Sequence, residues 1–162
     1  MELLDVVNEH DEVIGQATRE ECHREGKLHR AVHLLLVNDD GEFYIHRRAA
    51  HLPLWPGKWT SSASGHVDAG ETYDQAALRE LKEELGVDGK PRRELKFLYD
   101  GDEERLFVTL YSVPHGGPVT PDPGEIAEGK WVDLYDLIAW VGEKPEEFTP
   151  TFREAFERYL RC

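Results

Sequence analysis

Apolar and polar positions alternate along much of the chain with the period of two that is typical of half-buried strands. Turn-forming residues separate these runs: NEHDE lies between the first two, and NDDG lies between the third and the fourth. Both arrangements are typical of β-hairpins. The pattern predicts strands at residues 3–7, 13–17, 31–37, 42–47, 59–64, 95–99, 106–113 and 130–132.

Helices are predicted where the apolar period lengthens and capping residues flank the run. Thr18 and Thr72 are each followed three residues later by Glu or Gln, which is the spacing of a capping box. A glycine ends each of these two helices, at positions 26 and 86, and the second helix runs to Leu85. Asp133 begins a third helix that reaches about residue 141, and Thr149 begins a fourth.

The order of these elements predicts the fold class. Strands and helices interleave without a regular βαβ rhythm, so we expect an α/β (α+β) fold with a mixed sheet and helices on both sides. A length of 162 residues predicts one domain over residues 1–162. The last helix has an apolar face that fits either the core or a homodimer interface, formed by Phe152, Phe156, Tyr159 and Leu160.

The charge balance excludes several classes of protein. Lys plus Arg number 19 and Asp plus Glu number 33, which gives a formal charge of −14. Binding to nucleic acid or to an anionic membrane requires a basic surface, so neither partner is expected. The N-terminal sequence MELLDVVNEHDEV lacks the basic and then apolar layout of a secretory signal. We therefore expect a cytoplasmic protein with free thiols at Cys22 and Cys162.

The second predicted helix gathers carboxylates on one face. Its buried stripe is expected at three leucines, Leu78, Leu81 and Leu85. A different face carries three glutamates at positions i, i+3 and i+4, namely Glu80, Glu83 and Glu84. Like charges at this spacing repel each other, and anions in the last turn oppose the helix dipole. Such a cluster is a candidate cation site, and oxygen ligands suit Mg²⁺ or Mn²⁺.

Constrained residues continue on both sides of these glutamates. From residue 65 the sequence has Gly, five residues, Glu, seven residues, Arg-Glu, an aliphatic residue, any residue, Glu-Glu, any residue, Gly and an aliphatic residue. This pattern matches the Nudix box, so the chain resembles the Nudix hydrolases. The matching residues are Gly65, Glu71, Arg79, Glu80, Leu81, Glu83, Glu84, Gly86 and Val87.

The resemblance implies an α/β/α sandwich around a mixed sheet, here with an N-terminal β-hairpin extension. It also implies cleavage of a diphosphate linkage with Mg²⁺ or Mn²⁺, which the three helix glutamates would hold. Glu71 would brace the loop and join the metal shell, and Arg79 would orient a glutamate. The family often supplies a general base from a loop beyond the box, and Glu125 or Glu128 is the candidate here.

Basic residues near these motifs are candidates for binding a terminal phosphate of a small-molecule diphosphate. The alternative for each is a surface salt bridge. They are Arg47, Arg48, Lys58 and Arg30. The two tryptophans of the WPGKWT segment fit either stacking on a substrate or, more commonly, packing in the core.

A second resemblance lies outside the box. The segments Arg47-Arg48-Ala49, WPGKWT at 55–60 and Gly65-His66 are similar to type 1 isopentenyl-diphosphate isomerase, which shares the fold. This resemblance implies a second metal site at His23, His29 and His66, with two acids that map to Asp102 and Glu104. Nitrogen ligands would favour Zn²⁺ or Mn²⁺ there.

Three departures favour hydrolysis over isomerisation. The isomerase has a cysteine immediately before its Gly-His, where this chain has Ser64, and a lysine where this chain has Leu52. A hydroxyl is a far weaker acid than a thiol. The isomerase box keeps one glutamate at the helix end, whereas this chain keeps all three. We expect a hydrolase of a nucleoside diphosphate derivative or related organic diphosphate. The alternatives are the isomerase and a non-catalytic, nucleotide-binding Nudix module.

Overall fold

The computed structural model describes residues 2–162 and has the predicted mixture of strands and helices. This part of the chain forms nine strands: β1 (Leu3–Val7), β2 (Val13–Thr18), β3 (His29–Val37), β4 (Glu42–Arg48), β5 (Trp59–Thr60), β6 (Ala63–His66), β7 (Arg92–Asp100), β8 (Arg105–Pro114) and β9 (Ile126–Asp133). Its four α-helices are α1 (Arg19–Glu25), α2 (Tyr73–Leu85), α3 (Leu134–Glu143) and α4 (Pro150–Arg161). Within the described residues, every helix is too short or too polar to cross a membrane.

The strands form a hairpin and a larger mixed sheet. β1 and β2 pair with each other as an antiparallel ribbon. The other strands have the order β5-β4-β3-β8-β7, and β6 also pairs with β3 while β9 pairs with β4. β3 and β8 are parallel, and the remaining pairs are antiparallel. β3 is therefore central, which explains why its residues are buried almost without interruption.

Helices cover the sheet on both faces. Leu81 and Leu85 of α2 are fully buried in one apolar cluster, together with side chains of β3 such as Leu34. Phe152 and Phe156 of α4 are buried in a second cluster on the other face. Each such side chain contributes roughly 1.5–3 kcal/mol of transfer free energy. The predicted sandwich with an N-terminal hairpin is confirmed, and most of the apolar face of α4 belongs to the core.

The predicted strand at residues 59–64 is wrong, because the segment forms two strands, β5 and β6. Ser61 and Ser62 separate them and are fully buried. The Ser62 hydroxyl accepts a hydrogen bond from the amide of Leu36 at 2.8 Å and donates one to the carbonyl of Tyr44. It thereby links β3 to β4, so the chain pairs with β4 before the two serines and with β3 after them.

The predicted buried stripe of α2 is partly wrong. Leu78 is 51% exposed, whereas Ala77 is fully buried beside Leu81 and Leu85. The helix is rotated so that its inward face also includes Glu84, which is 7% exposed. Since Leu78 lies about 100° around the helix from Ala77, this rotation moves it to solvent. Both predicted capping boxes are confirmed, on α1 and on α2.

Asp11, in the turn between β1 and β2, joins the hairpin to the rest of the fold. Its carboxylate accepts hydrogen bonds from Arg30 Nε at 2.7 Å, Tyr73 Oη at 2.8 Å and Lys96 Nζ at 2.8 Å. Its carbonyl accepts a further bond from Arg30 at 2.7 Å. Burial opposes ionisation of Asp11, but these hydrogen bonds outweigh it and lower the pKa below the ordinary 3.8. One carboxylate therefore holds together the hairpin, β3, α2 and β7.

Replacing this carboxylate should destabilise the fold in a pH-dependent way. Asp11→Asn tolerates the positive φ at this position and removes the charge, so we expect a loss of about 1–3 kcal/mol in unfolding free energy at pH 7. Because the pKa is lowered by folding, the difference should persist above pH 4 and shrink as the pH falls through the folded pKa. Urea unfolding measures it, with Asp40→Asn in the exposed β3–β4 turn as the control. Equal losses in the two variants would contradict this role.

Candidate active site

Arg79 connects three glutamates of the box through hydrogen bonds. Its guanidinium donates to both oxygens of Glu71 at 2.8 Å, to Glu80 Oε1 at 2.6 Å and to Glu83 Oε2 at 3.3 Å. It also donates to the carbonyl of His66 at 2.9 Å. These contacts join α2 to the loop that precedes it. Such charge-assisted bonds in a fixed fork orient several carboxylates at once.

Glu84 is the buried carboxylate of α2, and the neighbouring Glu80 is partly buried. Glu84 Oε2 accepts the backbone amide of Ser64 at 3.0 Å. Burial raises the pKa of both groups, and the charge of Glu80 raises that of Glu84 further. Gly65 lies directly against Glu80, and a Cβ at this position would collide with that carboxylate. The glycine therefore leaves room for the carboxylate, and among residues 2–162 the ion pair of Glu80 is with Arg79.

The remaining acids of the box have different environments. The side chain of Glu83 is 60% exposed at the edge of the cluster. Glu71 is half-buried, and its hydrogen bonds with Arg79 lower its pKa despite burial. It also accepts the amide of Asp68 at 3.0 Å, which closes the loop before α2. Glu71 is thus a bracing carboxylate, whereas Glu83 is free to face a ligand.

These acids line a cavity of about 270 Å³. Box residues form part of the lining, and the rest comes mainly from β3, β4, β5 and the segments before β8 and β9. The lining residues with polar or charged side chains include Arg19, His33, His46, Arg48, Thr60, Ser64, His66, Asp68, Arg79, Glu80, Glu83, Glu84, Glu104, Asp122, Glu125, Thr149 and Thr151. The cavity is therefore a polar cleft whose box side is strongly acidic.

The N-terminal hairpin supports the loop of the box. Asp5 is buried and accepts the amide of Gly70 at 3.0 Å. The amide of Ala69 donates to the carbonyl of Leu3 at 2.9 Å, and Leu4 forms a bridge with Asp68. Glu2 and Leu4 also line the cavity. The extension is consequently part of the site wall, a role that the sequence pattern did not predict.

The four basic candidates have different positions. Arg48 lines the cavity, and its Nε donates to the carbonyl of Leu54 at 2.9 Å. Arg47 lies next to it on β4, faces the opposite way and pairs with Glu128 of β9 at 2.9 Å. Arg47 and Lys58 are absent from the cavity lining of the described chain, and Lys58 donates to the carbonyl of Glu146. Arg30 is engaged by Asp11, so Arg48 alone of the four faces the cavity in residues 2–162.

The two candidate general bases, Glu125 and Glu128, also differ in whether they line the cavity. Glu125 lies in the loop before β9 and lines the cavity. Glu128 is on β9, directly across from Arg47, and pairs with it on the outer side. The tryptophans also differ, since Trp55 lines the cavity whereas Trp59 is buried in the core against Trp140. Of the two candidate bases in the described residues, Glu125 therefore lines the cavity and Glu128 does not.

The three predicted histidines form a cluster beside the cavity. Potential ligand nitrogens of His23, His29 and His66 lie within 4.8 Å of one another. His29 Nδ1 donates to the carbonyl of Lys27 at 2.8 Å, and its buried Nε2 has no hydrogen-bond partner among residues 2–162. Burial lowers the pKa of His29 to about 4 and that of His66 well below its ordinary value. Both imidazoles are therefore neutral and able to donate a lone pair.

The two acids that were mapped to this cluster are not equivalent. Glu104 lines the cavity and accepts a hydrogen bond from the hydroxyl of Thr151 at 2.9 Å. Burial raises its pKa, while Thr151 and the nearby His23 favour its ionised form. Asp102 is exposed in the turn between β7 and β8. Only Glu104 of these two is among the described residues that line the cavity.

Several lining residues were missed by the sequence analysis. They are Arg19, His33, His46, Thr60, Asp122 and Thr149, which come from six separate elements and loops. None belongs to a spaced motif, and the tertiary fold brings them together from distant parts of the chain. The alternation of β3 and β4 contained a weak signal, since a histidine in each apolar strand is unusual and indicates a polar neighbour.

Comparison with known proteins identifies the family. Residues 27–158 match the model of the NUDIX domain. The chain belongs to the Nudix family. An uncharacterized Nudix hydrolase of Streptomyces coelicolor is 39% identical over 160 residues, covering 97% of this chain and 87% of that protein. Isopentenyl-diphosphate Delta-isomerase 2 of Aromatoleum aromaticum is 30% identical over 162 residues, covering 97% and 86%.

Solved structures agree with the family match. A crystal structure of a protein from Deinococcus radiodurans has a TM-score of 0.82 and 29% identity, covering 97% of this chain and 98% of that one. The Nudix fold, the hydrolase class and the likeness to the isomerases are thus confirmed. Nudix hydrolases act on small molecules and generally use divalent metal ions, and the carboxylate wall of this cavity has the composition that such ions require.

Proposed function

We propose that this Nudix hydrolase cleaves the diphosphate linkage of a nucleoside diphosphate derivative or related organic diphosphate, with Mg²⁺ or Mn²⁺ bound by the box glutamates. The observation that carries the proposal is the position of Glu80 and Glu84. They lie side by side at the wall of one cavity, Glu84 buried and the side chain of Glu80 12% exposed, with Glu83 at its edge. We further propose that the substrate is a small anionic molecule and that the protein acts in the reducing cytoplasm, where its free thiols persist.

The residues fit a hard divalent cation. The donor set on α2 consists of carboxylate oxygens, which suit Mg²⁺ or Mn²⁺ better than softer metals. Burial raises the pKa of Glu80 and Glu84, so their charged forms need a further cation beside Arg79. Gly65 leaves the space around Glu80 that a side chain would fill. When bound, the ion would neutralise the diphosphate and lower the pKa of an attacking water.

The chain's own residues supply orientation and proton transfer. Arg79 fixes Glu71, Glu80 and Glu83 relative to the loop, which keeps the carboxylates in place before substrate arrives. Glu125 lines the same cavity, in the segment whose Asp122 amide donates to the carbonyl of Glu84, and would accept the proton of the attacking water. Arg48 would contact a phosphate oxygen. These roles divide the cavity lining into two parts. We call the acids of the box the metal wall, and the other lining residues, which include Arg48 and Glu125, the substrate wall.

Isomerisation and ligand binding without turnover are the alternatives. Ser64 lines the cavity where the isomerase resemblance places a cysteine, and its backbone amide is used by Glu84. Within the described residues, its hydroxyl has no hydrogen-bonded base that would make it a strong acid. All three box glutamates are present, which opposes the binding module. Hydrolysis is therefore favoured over both.

We also propose that His23, His29 and His66 hold a second metal ion, with Glu104 as an additional ligand. Neutral imidazoles favour Zn²⁺ or Mn²⁺. His29→Gln should lower the bound Zn²⁺ from one equivalent to near zero by elemental analysis after Zn²⁺ loading and dialysis. His115→Gln, in the loop after β8, is the control. Unchanged Zn²⁺ in His29→Gln would overturn the assignment.

Removing the box carboxylates should abolish turnover. A pool of nucleoside, sugar-nucleotide, dinucleotide and isopentenyl diphosphates is incubated with Mg²⁺ or Mn²⁺ and followed by mass spectrometry with separation of isomers. We expect one member to yield a phosphomonoester, and Glu83→Gln and Glu84→Gln each to lower this rate by about 10²–10⁴-fold. Glu143→Gln at the end of α3 should match the wild type.

Two outcomes would contradict the hydrolase assignment. Conversion of isopentenyl diphosphate to its equal-mass isomer, with nothing cleaved, would support the isomerase. Full activity of both glutamine variants would remove the α2 carboxylates from the mechanism.

Glu125 and Glu128 form a matched pair for the general base. Glu125→Gln should lower kcat by about 10²–10⁴-fold because only this glutamate lines the cavity, whereas Glu128→Gln should change it less than about threefold. Steady-state kinetics on the substrate identified from the pool measure both. Loss of activity in Glu128→Gln instead would show that the loop rearranges around Arg47 when substrate binds.

A further inference from the structure

Two buried histidines lie in the substrate wall, on β3 and β4 and outside the Nudix box. β3 and β4 pair directly only at Leu36↔Tyr44 and Val37↔Phe43 within the described sheet. Beyond these pairs the strands separate, and Ser61 and Ser62 lie between them. His33 of β3 contacts the first serine and His46 of β4 contacts the second. Both histidines line the cavity.

The hydrogen bonds fix which nitrogen of each ring carries the proton. His46 Nδ1 lies 2.9 Å from the carbonyl of Ser62, and a carbonyl accepts only, so Nδ1 is the donor. The hydroxyl of Ser61 donates to the carbonyl of Ala63 at 3.2 Å, so it accepts from His33 Nδ1 at 2.9 Å. In a neutral imidazole with a proton on Nδ1, Nε2 is a hydrogen-bond acceptor.

Both rings are neutral at physiological pH. Burial lowers the pKa of His33 to about 3 and that of His46 to about 4. The rings are held on paired strands, His33 opposite Ser64 of β6 and His46 opposite Thr60 of β5. Their acceptor nitrogens therefore have a fixed direction and do not change character between pH 5 and pH 8.

We propose that His33 and His46 are specificity-determining residues, whose Nε2 atoms accept hydrogen bonds from donor groups on the part of the substrate beyond the diphosphate. Hydroxyls of a sugar or an amino group of a base have this chemistry, and a prenyl chain does not. An apolar chain would leave the acceptors unpaired in a closed site, which costs binding. The hydroxyls of Thr60 and Thr149, bonded to each other at 3.2 Å, extend the polar wall. This inference rests on the proposed diphosphate substrate and narrows its class.

The test compares ligands that share a diphosphate and differ beyond it. Dissociation constants are measured by titration calorimetry for ADP-ribose, 5-phosphoribosyl diphosphate, isopentenyl diphosphate and pyrophosphate, with Ca²⁺ replacing Mg²⁺ to limit turnover. We expect the wild type to bind at least one of the first two at least tenfold more tightly than isopentenyl diphosphate. Tighter binding of ADP-ribose alone would indicate recognition of the base. Tighter binding of ADP-ribose and of 5-phosphoribosyl diphosphate would indicate recognition of the sugar hydroxyls.

The variants isolate the acceptor nitrogens. Asn can donate from the place of Nδ1 but has no acceptor at Nε2, so His33→Asn and His46→Asn keep the bond to the serine segment. Each should reduce the preference over isopentenyl diphosphate by about fivefold to tenfold, with pyrophosphate binding changed less than about twofold. His10→Asn, exposed in the β1–β2 turn, is the matched control.

Failure of this inference and failure of the proposed function are distinguishable. Equal or tighter binding of isopentenyl diphosphate by the wild type overturns the inference, whether or not the histidine variants fold, and leaves hydrolysis to the mass-spectrometric assay. Binding of none of the four ligands overturns it as well. A tenfold preference that both variants abolish supports it, even if the diphosphate pool shows no cleavage and the hydrolase proposal fails.

Discussion

The site depends on holding two carboxylates, one buried and one partly buried, next to each other at the wall of the cavity. Glu80 and Glu84 are on the inward face of α2, where their ionised forms are unfavourable without partners. The fold supplies a guanidinium from Arg79 and a backbone amide from Ser64. The rotation of α2 that buries Glu84 also exposes Leu78. Part of the hydrophobic stabilisation of this helix is thus given up to position an acid.

Arg79 extends this constraint to the rest of the site. Because it also binds Glu71 and the carbonyl of His66, the position of α2 is coupled to the loop before it. That loop is supported in turn by the hairpin through Asp5, and the hairpin is held to the sheet through Asp11. We therefore expect the N-terminal extension to support the proposed metal wall, and a change at its turn to act on the site through two successive carboxylates, Asp11 and Asp5.

The sequence predicted the features that are local along the chain. Spacing within one helix determines which side chains share a face, so the glutamates and both capping boxes could be located. It could not distinguish Arg47 from Arg48 as a cavity residue, because both faces of β4 are polar at its end. It also failed at residues 59–64. The break at Ser61 depends on the separation of β3 from β4, and the residues of the segment do not indicate that separation.

The charges around Arg48 explain why a cation should be indispensable for an anionic substrate. Burial lowers the pKa of this guanidinium, whereas the charges of three nearby acids, Glu125, Glu104 and Glu84, raise it. These acids surround the phosphate-binding position that we propose for Arg48, so its single charge adds little net attraction for an anionic substrate. Since the chain has a formal charge of −14, electrostatic steering by the protein alone opposes a diphosphate. Attraction would come from bound divalent ions. Discrimination among diphosphates would then fall to neutral groups such as His33 and His46, whose burial removes them from the charge balance.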